Sequence, residues 1–216
     1  MLMSGRGGAY SFERVWFLDC YGHLISYNNY WSELVRIPLQ GILVSGYYMG
    51  AYPFPKDCQV KVWDIFGNML DVPHMSLLAW RDGLVSFYCA ERQAYVTIDP
   101  GTNRTGWAAH VADWEKFLPL TQDAFEGLLI LSDPVIGRIK TESGDEVDYL
   151  QFVHSQERKV FTAGFGRKRI NIRSNIENFS KIGRLKIGES SLITFFGFMS
   201  GRTYNLVVTR LGPVNF

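Results

Sequence analysis

No uninterrupted apolar stretch in the 216 residues approaches the roughly 18–20 needed to cross a bilayer as a helix, which argues against a helical membrane span. The first ten residues, Met1 to Tyr10, are Gly-rich and lack the apolar core of a secretion signal, so an intracellular protein is expected. Cysteine is scarce: Cys20, Cys58 and Cys89 form an odd set with no Cys-x-x-Cys pair, which points away from a disulfide framework or a zinc site and towards small buried hydrophobes. His23, His74, His110 and His154 stand apart with no metal-ligand spacing, and the chain has neither a Gly-x-Ser-x-Gly elbow nor a phosphate loop. Gly144-Asp145-Glu146-Val147-Asp148 gathers carboxylates without a calcium-loop pattern and reads as a polar hairpin tip. These absences point away from an enzyme, and no cofactor or metal is expected.

What the chain does have is 47% hydrophobic and 15% aromatic residues, enough to bury one large core or two small ones. It also repeats itself. Asp82-Gly83-Leu84-Val85-Ser86-Phe87-Tyr88, running through Arg92 to Tyr95-Val96-Thr97-Ile98, has the shape of Gly188-Glu189-Ser190-Ser191-Leu192-Ile193-Thr194-Phe195-Phe196, running through Arg202 to Tyr204-Asn205-Leu206-Val207-Val208. Further upstream, Val60 to Asn68 parallels Arg138 to Asp145, and Leu34 to Pro38 parallels Leu128 to Pro134, in the same order. An ordered repeat of this kind predicts two copies of one small β domain.

Runs of β-branched and aromatic residues bounded by Gly, Pro, Asn or Asp predict strands over Phe12 to Leu18, Val60 to Ile65, Leu84 to Cys89, Tyr95 to Ile98, Gly127 to Leu131, Gly137 to Thr141, Tyr149 to His154, Lys159 to Ala163, Ile170 to Ser174, Ser191 to Phe196 and Tyr204 to Thr209. Helical turns are predicted over Val111 to Leu118, stopped by Pro119, and over Ser174 to Gly183, with Ile176, Phe179 and Ile182 on one face. The expected fold class is all-β with a few short helices, arranged as two barrel-like domains in tandem over residues 10–100 and 106–212. Turn residues from Asp99 to Gly106 form the boundary.

The net charge of +1 hides a sorted chain. From Gln151 onward there are 11 Lys/Arg against 3 Asp/Glu, net +8, which leaves 11 basic and 18 acidic residues before it, net −7. The centre of the basic part is Gly166-Arg167-Lys168-Arg169-Ile170-Asn171-Ile172-Arg173. On a strand, Ile170 and Ile172 fall on one face and Arg169, Asn171 and Arg173 on the other. A basic strip of this kind is either a solvated sheet face or a surface for an acidic partner. Arg can bridge guanine or phosphate oxygens and Asn can pair with adenine, which makes double-stranded DNA the first partner to consider.

Ile176-Glu177-Asn178-Phe179, Leu185-Lys186-Ile187-Gly188-Glu189, Leu192-Ile193-Thr194-Phe195 and Tyr204 to Val208 follow one another in an order that resembles the B3 domain, the DNA-binding pseudobarrel of plant transcription factors. Upstream, Phe117 to Leu120, Leu128 to Leu131 and Gly144-Asp145 take the places of that family's first strands and hairpin, and many members carry the domain twice. The resemblance implies a nuclear protein with sequence-preferring DNA binding. It makes Arg167, Lys168, Arg169, Asn171 and Arg173 the contact residues of one arm, with Arg138 and Lys140 as flanking phosphate contacts. The position of the other arm, Thr121 to Glu126, is acidic and would repel phosphate. The N-terminal part, on this view, serves packing or contacts a protein partner.

A second reading, from a different class, is a non-enzymatic β-rich interaction or structural protein of viral, phage or immunity type. Aromatic clusters at Tyr27-Asn28-Asn29-Tyr30-Trp31 and Gly46 to Tyr52 would suit a protein or sugar contact surface, or equally the core of a small β domain.

Overall fold

Short runs of β-branched and aromatic residues, each cut by a turn, produce strands too brief to stand alone, so they assemble into sheets that share their cores. The computed structural model describes residues 16–28, 33–37, 47–51, 60–64, 69–70, 75–80, 84–99, 101–102, 104–147, 149–152, 160–165, 168–173, 176–197 and 201–214. In chain order these form β1 (Trp16–Leu18), β2 (Leu24–Asn28), β3 (Glu33–Ile37), β4 (Tyr47–Ala51), β5 (Val60–Asp64), β6 (Met69–Leu70), β7 (Met75–Ala79), β8 (Val85–Cys89), β9 (Ala94–Ile98), β10 (Thr105–Ala108), β11 (Leu118–Leu120), α1 (Gln122–Ser132), β12 (Gly137–Thr141), β13 (Tyr149–Phe152), β14 (Val160–Phe165), β15 (Lys168–Arg173), α2 (Ile176–Gly183), β16 (Ser190–Gly197) and β17 (Thr203–Arg210).

The strands pair into four sheets, ordered β11-β1-β2-β3, β10-β9-β8-β7, β12-β17-β16-β15-β14-β13 and β4-β5-β6. The expectation of two barrels is therefore corrected: among the described residues no ladder closes any sheet on itself. Closure requires each edge strand to run on into the next ladder. Among the described residues the first two sheets meet only at single bridges, Val35 to Arg104 and Val85 to Phe117, and no pairing joins β12 to β13. Pro119, which has no N–H to give, sits in edge strand β11 opposite Phe17. The B3-type pseudobarrel falls with the barrels.

Two cores lie on either side of one short wall. In β1, Trp16 and Leu18 point into the first core and Phe17 into the second, as the two-residue alternation of a strand requires. The wall continues into β11, with Leu120 in the first core and the preceding Phe117 in the second. Trp16 stacks on Phe125 of α1 at 4.4 Å, while Phe17 meets Phe87 edge-on at 4.8 Å. The hairpins β8–β9 and β16–β17 place Phe87 and Phe195 in fully buried positions. Ser86 in β8 is also buried, whereas β16 leaves Leu192 and Thr194 exposed on its second face.

Two local expectations are also corrected. Gly127 to Leu131 is helical, because the hydroxyl of Thr121 caps α1 by accepting from the Ala124 N–H at 3.3 Å. A short apolar run cannot by itself distinguish a buried strand from a buried helix, and the cap decides. Val111 to Leu118 forms no helix. The Glu115 carboxylate takes the Ala112 N–H at 2.6 Å, and Phe117 exchanges both backbone hydrogen bonds with Val85 at 2.8 and 2.9 Å.

The predicted helix near Ser174 to Gly183 is α2, and it buries Phe179 and Ile182, with Leu185 just beyond, against α1 and the six-stranded sheet. The helices touch backbone to backbone. A Cβ on Gly127 would lie 2.0 Å from the Phe179 carbonyl oxygen, and one on Gly183 would lie 1.8 Å from that of Asp123. Only glycine permits this approach. Phe179→Ala is expected to cost about 3–5 kcal/mol through cavity formation. Gly183→Ala should lower the urea midpoint as severely, because neither backbone can retreat. A loss under about 1 kcal/mol for either variant would contradict the packing.

Candidate functional site

Two places gather polar and aromatic groups: a buried hub beside β1 and the outer face of the β10-β9-β8-β7 sheet. At the hub, the Asp19 carboxylate closes the β1–β2 turn by accepting the backbone N–H groups of Tyr21 and His23 at 2.8 and 2.9 Å. Gly22 supplies the left-handed conformation (φ 78°) that this turn needs. The other Asp19 oxygen takes Nε of Arg36 at 2.6 Å, and both side chains are buried. Arg36 Nη1 donates to the carbonyls of Asp99 and Thr102 at 2.9 and 3.0 Å. Its Nη2 lies 3.1 Å from Nδ1 of His23.

Burial alone would push the Asp19 carboxyl up. The hydrogen bonds from His23 and Arg36, with the guanidinium charge, outweigh it and hold Asp19 below its ordinary value. Burial beside Asp19 also pushes the Cys20 thiol up to about 12, which leaves it an unreactive packing group.

On the outer face of the β10-β9-β8-β7 sheet, register puts Ser76 opposite Tyr88, Leu78 opposite Ser86, and Tyr88 opposite Tyr95. Ser86 carries a relay: the Trp80 indole N–H donates to its oxygen at 2.8 Å, and its own hydroxyl donates to the Glu115 carbonyl at 2.6 Å. Glu115, itself buried, accepts the Thr97 hydroxyl on the neighbouring strand. The Ile98 N–H reaches the Trp114 carbonyl at 3.3 Å and Val85 bridges to Phe117, so the segment bearing Trp114, Glu115 and Lys116 is held by backbone hydrogen bonds to β9 and β8. Lys116 stands 5.4 Å over the Trp80 ring; Arg92 stands 4.8 Å over Trp107 of β10, whose register partner Val96 belongs to the core-side face. The Tyr88 and Tyr95 rings meet at 5.0 Å. Above this satisfied polar floor, Trp80, Trp114 and Leu78 remain 37%, 46% and 38% exposed.

None of these aromatics belongs to the clusters singled out in the sequence. Of those clusters, residues 29–31, 46 and 52 lie outside the described residues, Tyr27 and Asn28 end β2, and Tyr47–Ala51 is β4. The available signal was a lone Trp in a polar turn context, Ala79-Trp80-Arg81-Asp82 and Ala112-Asp113-Trp114-Glu115.

The basic strip is partly located. Arg167 lies outside the described residues. Lys168, Arg169, Asn171 and Arg173 belong to β15, which pairs with β14 along its whole length and with β16 at its end. Arg138 and Lys140 lie in edge strand β12, but both face Glu146, at 3.9 and 3.7 Å. The position assigned to the acidic arm is the start of helix α1, where Asp123 pairs with Arg184 at 3.4 Å.

No family model and no curated protein matches the chain. Among solved structures it is similar to SeviL bound to asialo-GM1 saccharide, at 15% identity and a TM-score of 0.32, over 51% of this chain and 98% of that one. The readings as a B3 domain, a DNA-binding transcription factor and a partner of double-stranded DNA are corrected on the geometry. The pseudobarrel and its first arm are absent from the described residues, and the flanking cations are matched by a carboxylate. Among the described residues no group of three or more His, Cys, Asp or Glu could hold a metal ion, and none of the helices is long and apolar enough to cross a membrane.

The low value of Asp19 makes its contribution to stability present above the unfolded carboxyl value, about pH 4, and lost as pH falls through the folded value below it. In urea titrations from pH 6 to pH 2, the wild-type midpoint should fall more steeply below pH 4 than that of Asp19→Asn. Parallel profiles would show that Asp19 is not held low.

Proposed function

We propose that the protein is a non-enzymatic, β-rich interaction protein that contacts its partner through the aromatic outer face of the β10-β9-β8-β7 sheet. The observation that carries this reading is the pairing of exposed rings with a polar floor that needs nothing more. Trp80 is fixed by its indole N–H on Ser86, and Ser86 and Thr97 are tied to Glu115. Yet Trp80, Trp114 and Leu78 keep more than a third of their surface in water.

Apolar surface left in water forgoes about 25 cal/mol per Å². Clustered exposure of this kind marks contact sites more than scattered single residues do. Rings held rigid before contact lose little conformational freedom on binding, and Trp and Tyr dominate the energetics of such surfaces. Lys116, set over the Trp80 ring, supplies a cation at its margin.

Replacing Trp114 by the photocrosslinker p-benzoylphenylalanine tests the reading. Irradiation in an extract of cells that express the protein should give one discrete adduct, and Trp80→Ala should weaken capture by roughly tenfold or more, the loss expected of a contact hot spot. No adduct, or the same adducts from a crosslinker at exposed Ser143, would overturn it.

A further inference from the structure

Alternation along an antiparallel ladder fixes which backbone groups of β7 face its partner. The Trp80 N–H donates to the Leu84 carbonyl at 2.8 Å, which makes these two residues a hydrogen-bonded pair that continues the β7–β8 register. Such pairs recur at every second residue, so Ser76 and Leu78 also give their backbone groups to β8. Val85 agrees, since it exchanges both of its backbone hydrogen bonds with Phe117 and none with its register partner Ala79. Met75, Leu77 and Ala79 therefore direct their N–H and C=O groups the other way, along the edge of the β10-β9-β8-β7 sheet. β5 comes near β7, but among the described residues no ladder and no backbone hydrogen bond reaches that edge.

An unpaired edge is a template for another strand, and proteins close such edges with charge, proline or cover. β11, β12 and β10 are closed in these ways. Pro119 sits in β11, and β12 carries Arg138 and Lys140. The chain after β12 also folds back on it, with the Val147 N–H on the Ile139 carbonyl at 2.9 Å. β10 is tied to β3 by the Thr105 hydroxyl, which donates to the Leu34 carbonyl at 2.8 Å. β7 reads Met-Ser-Leu-Leu-Ala, with no charge and no proline.

We infer that the β7 edge pairs antiparallel with β7 of a second copy of this chain. The strand is self-complementary: its outward backbone groups are symmetric about Leu77. A two-fold axis there pairs Leu77 with Leu77 of the second copy, and Met75 with its Ala79, each pair exchanging both hydrogen bonds. On the outer face the same register sets exposed Ser76 opposite exposed Leu78, and the two Leu78 side chains meet on the diagonal. Because β7 is uncharged, two copies meet without the like-charge repulsion that guards most edges. Two five-residue strands bury less than the roughly 800 Å² per partner of a standard interface, so the dimer dissociates readily. The inference goes beyond the aromatic-face reading and does not rest on it.

Sedimentation velocity of the 216-residue chain across the micromolar range should show exchange between monomer and dimer. Ser76→Lys/Leu78→Lys sets like charges opposite one another across the axis and should weaken dimerisation by roughly tenfold or more. Ser76→Lys/Leu78→Glu sets opposite charges at the same positions and should dimerise several-fold more tightly than the like-charge variant. Both positions are exposed, and circular dichroism checks that each variant folds. If the like-charge variant does not fold, Ser76→Lys alone replaces it, with a several-fold weakening expected. Trp114→Ala should leave dimerisation unchanged, so that failure of this edge and of the aromatic face are separately visible. A monomer at every concentration, a dimer indifferent to the introduced charges, or equal weakening by both charge patterns would overturn the inference.

Discussion

A single buried guanidinium holds the first half of the molecule together. Arg36 of β3 reaches Asp19 at the end of β1, His23 in the β1–β2 turn, and the carbonyls of Asp99 and Thr102 in the turn that joins β9 to β10. Taking a charged pair out of water costs several kcal/mol per ion, which close pairing and further hydrogen bonds offset. Here the guanidinium meets four partners: a carboxylate, an imidazole and two carbonyls. The sheet containing β1 to β3 is thereby fixed against the turn that carries the aromatic sheet.

The placement matters because β1 divides two cores. Trp16 and Leu18 lean on α1 and the six-stranded sheet, and Phe17 leans on Phe87 and the aromatic sheet. A shift of this three-residue strand would disturb both cores at once. On the far side of the wall, the contacts of Gly127 and Gly183 lock α1 to α2, and Arg210 spans from Glu126 to the carbonyls of Gly183 and Leu185. The outer face of the β10-β9-β8-β7 sheet thus rests on a fixed backing, as a preformed contact surface requires.

Strands such as Leu84 to Cys89 and Tyr204 to Thr209 were legible in the sequence because runs of β-branched and aromatic residues cut by turn residues favour strands in any arrangement of the sheets. The short helix at Phe179 was legible from its Glu, its apolar spacing and its terminal Gly. Gly127 to Leu131 was not, since a fully buried helix loses its period and only the Thr121 cap betrays it. The B3 resemblance was built on the order of strands and turns, which many β folds share; the pairing of those strands into open sheets is a long-range property. The basic strip was visible as local charge, but Glu146 opposite Arg138 and Lys140 depends on a turn folding back. Nothing local marks Arg36 as the partner of Asp19, 17 residues away, or brings Trp80 and Trp114 onto one face.

The most direct measurement is a double-mutant cycle on the hub, with Asp19→Asn, Arg36→Gln and the double variant compared by urea titration. Each single change leaves a buried charge without its partner and is expected to cost about 3–5 kcal/mol. The double change should cost less than the sum by about 2 kcal/mol or more. Additivity within about 0.5 kcal/mol would mean that the pair is not coupled, and that the sheets are held by something other than Arg36.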